Sequence, residues 1–269
     1  MGVVNVTPDS FSDGGAWLDP DAAVAHGRRL IAEGADILDV GGESTRPGAE
    51  PVGETEELRR VVPVLERLAG AGARVSIDTS KAAVATAALA AGATIVNDVT
   101  ALRGDPAMAG ALAGARCDVC LMHMLGEPRT MQRDPRYGDV VDDVKAFLAR
   151  RLEDAVAHGI AEERIWLDPG IGFGKTIEHN LELLRRLGEI VALGRPVVVG
   201  TSRKSFLGTI TGRGPADRVP ATIATNVLAL AAGARIFRVH DVAQARDALL
   251  VAAATLRGRW TTGKKPTTR

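Results

Sequence analysis

The chain has 269 residues, 46% of them hydrophobic, and its 33 Lys and Arg balance 33 Asp and Glu, leaving no net charge. That balance argues against a nucleic-acid or membrane surface and sends the search for a ligand to local charge. No run approaches the roughly 18 uncharged apolar residues of a membrane span, and the amino terminus lacks a basic region with a cleavage site, so the cytoplasm is the expected compartment.

In chain order one pattern repeats: an amphipathic Ala/Leu/Arg/Glu stretch, a glycine, a short apolar run, then polar residues. Strands are predicted over residues 2–4, 36–40, 74–77, 94–96, 119–122, 165–167, 196–199 and 235–239. A glycine stands before each strand after the first (Gly34, Gly72, Gly92, Gly114, Gly159, Gly194, Gly233) and suits the left-handed end of a helix. Helical periodicity is clear over 21–33, 54–68, 81–91 and 140–157. Such βα repeats without a linker predict a parallel α/β fold, a single closed (β/α)8 barrel over residues 1–256. Residues 257–269, basic and without periodicity, read as a frayed tail. Met1 falls inside the first predicted strand, so residues leading into that strand are expected to be missing from this chain.

The two cysteines, Cys117 and Cys120, exclude a disulfide framework. Their C-x-x-C spacing suits half a zinc site, but in the predicted strand residues three apart point to opposite faces, so two buried, unpaired thiols are expected. Asn5-Val6-Thr7 matches a glycosylation acceptor that has no meaning without secretion.

In such a barrel the active site lies at the carboxyl ends of the strands. Those ends are Asn5, then Gly41 to Ser44, Asp78-Thr79, Asn97-Asp98, His123, Asp168, Gly200 to Lys204, and Arg238 to Asp241. One polar strand end is commonly a helix cap, whereas eight in a row exceed what capping requires. Asp78, Asn97 and Asp168 supply acceptors and an amide for a flat heterocycle that presents N–H groups. Arg46, Arg203, Lys204, Arg238 and His240 suit an anion, and strands seven and eight are where barrels often hold phosphate. The Gly/Pro/Ser-rich loops 7–19 and 41–53 read as lids, or more blandly as flexible connections.

One decoy follows the sixth strand. Pro169-Gly-Ile-Gly-Phe-Gly-Lys175-Thr176 ends like a nucleotide-binding P-loop but has Pro169 where that pattern needs glycine. His26, His158 and His179 fall in predicted helices as surface or packing residues, and no His/Asp/Glu spacing marks a permanent metal site.

Asn5-Val-Thr-Pro-Asp-Ser-Phe-Ser-Asp-Gly-Gly15 and Asp39-Val-Gly-Gly-Glu-Ser-Thr-Arg-Pro-Gly48 resemble the two signature segments of the dihydropteroate synthases. Ser76-Ile-Asp-Thr-Ser80, Asn97-Asp98, Met122-His-Met124, Asp168-Pro-Gly-Ile-Gly-Phe173, Ser202-Arg-Lys204 and Arg238-Val-His240 continue the likeness in order, to about Val251. The resemblance implies a (β/α)8 transferase of folate biosynthesis. It would join a dihydropterin-methyl diphosphate to 4-aminobenzoate by an SN1-like route, with Mg²⁺ and as a homodimer. It further implies that Asp78, Asn97, Asp168 and Lys204 hold the pterin, with Met122 among the substrate-binding residues. Asn5, Thr45, Arg46, Arg238 and His240 would hold the diphosphate, with Asn5 also on Mg²⁺, and Phe11, Pro47, Phe173 and Ser205 would enclose the aminobenzoate. A pterin-binding methyltransferase domain and a non-catalytic pterin-binding barrel are the alternatives. The cations at Arg46, Lys204 and Arg238 argue against the methyltransferase, which needs no diphosphate site.

Overall fold

Among the described residues the apolar runs form eight strands: β1 (Gly2–Asn5), β2 (Ile37–Gly41), β3 (Arg74–Asp78), β4 (Ile95–Asp98), β5 (Asp118–Met122), β6 (Ile165–Asp168), β7 (Val198–Val199) and β8 (Ile236–Phe237). This computed structural model describes residues 1–7, 20–45 and 48–260. β1 to β6 make one parallel sheet in chain order, and β7 pairs with β8. Two bridges close the circuit: Leu167 with Val197 joins β6 to β7, and Gly2 with Val239 joins β8 to β1. Backbone bonds cross both seams, from Leu167 N to Pro196 O at 2.9 Å and from Val3 N to Val239 O at 3.1 Å. The fold is the expected (β/α)8 barrel.

β7 and β8 are shorter than the runs 196–199 and 235–239 predict. The cause is local: Arg235 N and Ile236 N both point at Val197 O, at 3.1 and 3.2 Å, so two residues of one strand face one of the other and the ladder is interrupted.

The outer ring comprises α1 (Pro20–Ala32), α2 (Glu54–Leu68), α3 (Ala82–Ala90), α4 (Met108–Ala113), α5 (Val140–Ala157), α6 (Ile177–Arg185), α7 (Leu187–Val191), α8 (Ser205–Thr211), α9 (Val219–Ala231) and α10 (Val242–Arg257). In α2, Val61, Val64, Leu65 and Leu68 recur at helical spacing and are fully buried, while Glu54 and Glu56 complement the positive amino-terminal end. Each such leucine contributes about 1.5–3 kcal/mol by burial. The expected left-handed glycine precedes every strand after β1 except β5, where Gly114 has φ −87° and ends α4 in the right-handed region.

Alternation along the strands divides the core in two. One face of each strand packs on the helices through residues such as Val40, Ile77, Val96, Leu121 and Leu167. Inside the barrel Ile95, Cys120, Trp166 and Val198 form a smaller apolar plug. Cys117, one residue before β5, lies in the outer core and Cys120 in the plug, both buried and free. Beyond the plug, toward the strands' carboxyl ends, the buried side chains turn polar: Asp39, Ser76, Asp78, Asn97 and Asp168. This layer is the floor of the site.

Candidate functional site at the barrel mouth

Asp39 stands mid-strand in β2, two residues before Gly41, and is fully buried. Arg238 follows β8 and donates from Nε to Asp39 Oδ2 at 2.6 Å and from Nη2 to Asp78 Oδ2 at 2.8 Å. Asn97 on β4 donates to the same Asp39 oxygen at 3.2 Å. Burial lifts the Asp78 carboxyl to about 7 against the pull of the Arg238 guanidinium, with Asp39, Glu57 and Asp98 pushing the same way as burial. Burial also lowers the Arg238 pKa, but the two carboxylates outweigh it and the group stays charged. One guanidinium thus bridges two buried acids, using two of its five N–H groups.

The opposite wall is built on the turn after β6. Asp168 is buried and accepts from Gly170 N at 2.7 Å; burial raises its pKa against that bond and the Lys204 charge. Lys204, just before α8, lies over the Phe173 ring at 4.1 Å from its centroid and donates to the Ile171 carbonyl. Burial pulls its pKa to about 7, with Asp168 opposing and Arg238 reinforcing that fall. Met122 ends β5, buried in a small cluster with Val99, Met124 and Met131, against which Phe173 packs. Ser205 begins α8 and is exposed.

Asn5 ends β1 beside Gly41, and Thr45 is half-buried on the loop after β2. His240 stands within 2.9 Å of Ser202 Oγ through Nδ1, and its backbone N–H donates to the same hydroxyl at 3.1 Å. Phe11, Arg46 and Pro47 lie outside the described residues, as does most of the loop 7–19. In the loop 41–53 the described residues are fastened: Arg60 donates to Gly42 O at 2.8 Å, Val52 N to Glu43 Oε1 at 3.2 Å, and Gly48 N to Pro128 O at 3.2 Å.

Several polar strand ends serve the scaffold and not the cluster. Arg203, grouped with the anion-binding cations by sequence, is paired with Asp241, Nε to Oδ2 at 2.9 Å. Asp98 caps its own loop, accepting from Thr100 N at 2.7 Å and Leu102 N at 2.8 Å while Ala101 and Leu102 hold φ of 54° and 62°. Glu43 meets Lys81, which also meets the fully buried Glu57. His123 is 5% exposed and lies under the turn after β6, within 2.9 Å of Lys175 Nζ. Lys175 faces the protein interior, which removes the P-loop reading.

Sequence reasoning missed Asp39 as a site residue. The available signal was a carboxylate in the middle of an otherwise apolar run, since a charge there needs a partner. Among the described residues no group of three or more His, Cys, Asp or Glu could hold a metal ion.

Comparison with known proteins places this geometry. A family model described as pterin binding enzyme matches residues 1–240. The dihydropteroate synthase of Escherichia coli K12 is 46% identical over 257 residues, covering 95% of this chain and 91% of that protein. The Xanthomonas albilineans dihydropteroate synthase with 4-aminobenzoic acid superposes with a TM-score of 0.90 at 51% identity, covering 95% of this chain and 92% of that one. The same organism's enzyme in complex with 7,8-dihydropteroate gives 0.86 at 48% identity, over 95% and 92% of the two chains.

Proposed function

The chain belongs to the pterin binding enzymes and, among them, to the dihydropteroate synthases, transferases of folate biosynthesis, and we propose how its barrel mouth carries out that condensation. The substrates are (7,8-dihydropterin-6-yl)methyl diphosphate and 4-aminobenzoate, and the products are 7,8-dihydropteroate and diphosphate. The observation that carries the assignment of roles is the buried Asp39, Asp78 and Asn97 set around Arg238, facing Asp168 and Lys204. Asp78, Asn97 and Asp168 read the N–H edge of the pterin, with Lys204 and Met122 beside the ring.

Arg238 meets the leaving diphosphate, joined by His240, Asn5, Thr45 and Arg46. Breakage of the C–O bond sends its electron pair to diphosphate and leaves a methylene cation that the pterin delocalises. The lone pair of the neutral arylamine then forms the C–N bond, and the amine proton leaves to solvent. No covalent nucleophile is needed; the protein's work is to position the partners and to stabilise the departing charge. Phe173, Ser205, Phe11 and Pro47 enclose the aminobenzoate.

Mg²⁺ fits this donor set through the Asn5 amide oxygen. Mg²⁺ favours oxygen ligands and is commonly bound by substrate phosphates with few protein groups, so a cage of carboxylates is not required. When bound it would neutralise diphosphate charge. Among the described residues no helix is long and apolar enough to cross a membrane; we assign the chain to the cytoplasm. We also assign a homodimer, since Leu228 on α9 and Leu250, Val251 and Leu256 on the adjoining α10 are all more than half exposed. Residues 1–256 form the catalytic domain, followed by the tail 257–269.

The order of binding tests these roles. Titrated alone, aminobenzoate should bind weakly, and diphosphate with Mg²⁺ should tighten it. Equal affinity in both conditions contradicts the proposal.

A further inference from the structure

The turn after β6 has three glycines in the left-handed region, Gly170, Gly172 and Gly174, and it has no slack. A Cβ on Gly170 would stand 1.9 Å from His123 O, one on Gly174 2.6 Å from Leu125 O, and one on Gly172 2.8 Å from the Lys204 stem. Five consecutive carbonyls of this turn each meet a side-chain donor. Ile171 O accepts from Lys204, Gly172 O from Gln132 at 2.5 Å and Gly174 O from Tyr137 at 2.7 Å. The other two, Gly170 O and Phe173 O, share one donor, Lys175 Nζ, at 2.9 and 3.0 Å. Its third neighbour is His123 Nδ1 at 2.9 Å. Lys175 is 3% exposed and His123 5%.

The Lys175 amine donates to both carbonyls and meets the imidazole nitrogen. Burial pulls its pKa well below the ordinary lysine value, with Lys204 reinforcing that fall and Asp168 opposing it. The turn is therefore wound around this buried amine. What it presents outward is the working face of the site: the Phe173 ring, the Ile171 carbonyl that holds Lys204, and the Gly170 N–H that holds Asp168.

We propose that Lys175, held by His123, is a positioning residue for the condensation, setting the turn after β6 so that Phe173 forms one wall of the aminobenzoate site. The inference rests on the assignment of Phe173 to that wall. Removing the amine leaves two carbonyls turned inward with no donor, and they can recover hydrogen bonds only by turning outward. Phe173 moves with them. Misplacement of a contact by about 1 Å costs up to about a hundredfold in rate.

A double-mutant cycle tests the idea, read as the KM for aminobenzoate against kcat at saturating pterin diphosphate. Lys175→Met should raise that KM about tenfold in the parent. In a Phe173→Ala background, where the wall is already gone, the same change should raise KM less than about twofold. A merely structural role would multiply KM equally in both backgrounds, and that result overturns the proposal, as does an unchanged KM in a folded Lys175→Met protein. If Phe173→Ala alone leaves aminobenzoate KM unchanged, the wall assignment fails first.

Should Lys175→Met fail to fold, the His123 side carries the same test. His123→Asn keeps a polar partner for Lys175 and should hold KM within about threefold of the parent, whereas His123→Leu should raise it about tenfold. Equal KM values for the two His123 variants would overturn the proposal.

Discussion

Arg238, at the end of β8, reaches past β1 to Asp39 on β2, its Nε donating at 2.6 Å across 199 positions of sequence. The pair ties the two strands flanking β1 and anchors the guanidinium that also serves Asp78. Truncating one partner of a buried ion pair strands the other and typically costs about 3–5 kcal/mol. Asp39→Ala should lower unfolding stability by that order in denaturant titration and weaken pterin diphosphate binding together. A variant as stable as the parent would show that Arg238 is held by Asp78 alone.

Arg238→Ala should weaken the pterin diphosphate by about 1.5–3 kcal/mol beyond any loss for bare pterin, because charge-assisted bonds to the anion are removed. Bare pterin should lose some affinity too, since Asp78 is left beside Asp39 without its counter-charge. Calorimetry with both ligands separates the two effects. Identical losses would place the diphosphate elsewhere.

Most of the fold was legible because the period of the pattern repeats eight times, and the polar strand ends pointed to the mouth. The length of β8 was not, because a two-against-one pairing at Arg235 and Ile236 leaves no mark on apolar patterning. Within the site, residue type alone could not separate ligands from supports. Arg203 and Arg238 are both strand-end arginines, yet one is spent on Asp241 and the other on the buried acids. Lys175 shows the same limit: its Gly-Lys-Thr context suggested a phosphate loop, and only the inward turn of its carbonyl partners reveals its place.

Asp168→Asn should be a clean probe of pterin reading. The oxygen that accepts from Gly170 N at 2.7 Å survives as the amide oxygen, so the turn keeps its anchor while the second oxygen becomes a donor. A donor facing a pterin N–H leaves buried groups mispaired at about 1–3 kcal/mol. Direct titration with pterin measures it, and parent-like affinity would remove Asp168 from that edge.

Acid stability should carry the mark of His123. Burial first, then the Lys175 and Arg103 charges, push its pKa from 6.5 down to about 2. Between those values the unfolded chain binds a proton here that the folded chain does not. The site's contribution is complete above about pH 6.5 and is lost as pH falls, at up to about 1.4 kcal/mol per pH unit. The urea midpoint of the parent should therefore drop more steeply from pH 6.5 to 4.5 than that of His123→Asn. Parallel curves would mean that His123 is protonated in the folded state.

The central claim is that this site expels diphosphate as it joins the two substrates. Diphosphate and dihydropteroate should be measured together, with the pterin diphosphate alone and again with 4-aminobenzoate and Mg²⁺ present. One diphosphate should appear per dihydropteroate, formed only with both substrates, and Arg238→Ala should slow both about tenfold or more. Diphosphate release without dihydropteroate, or neither product with both substrates present, would contradict it.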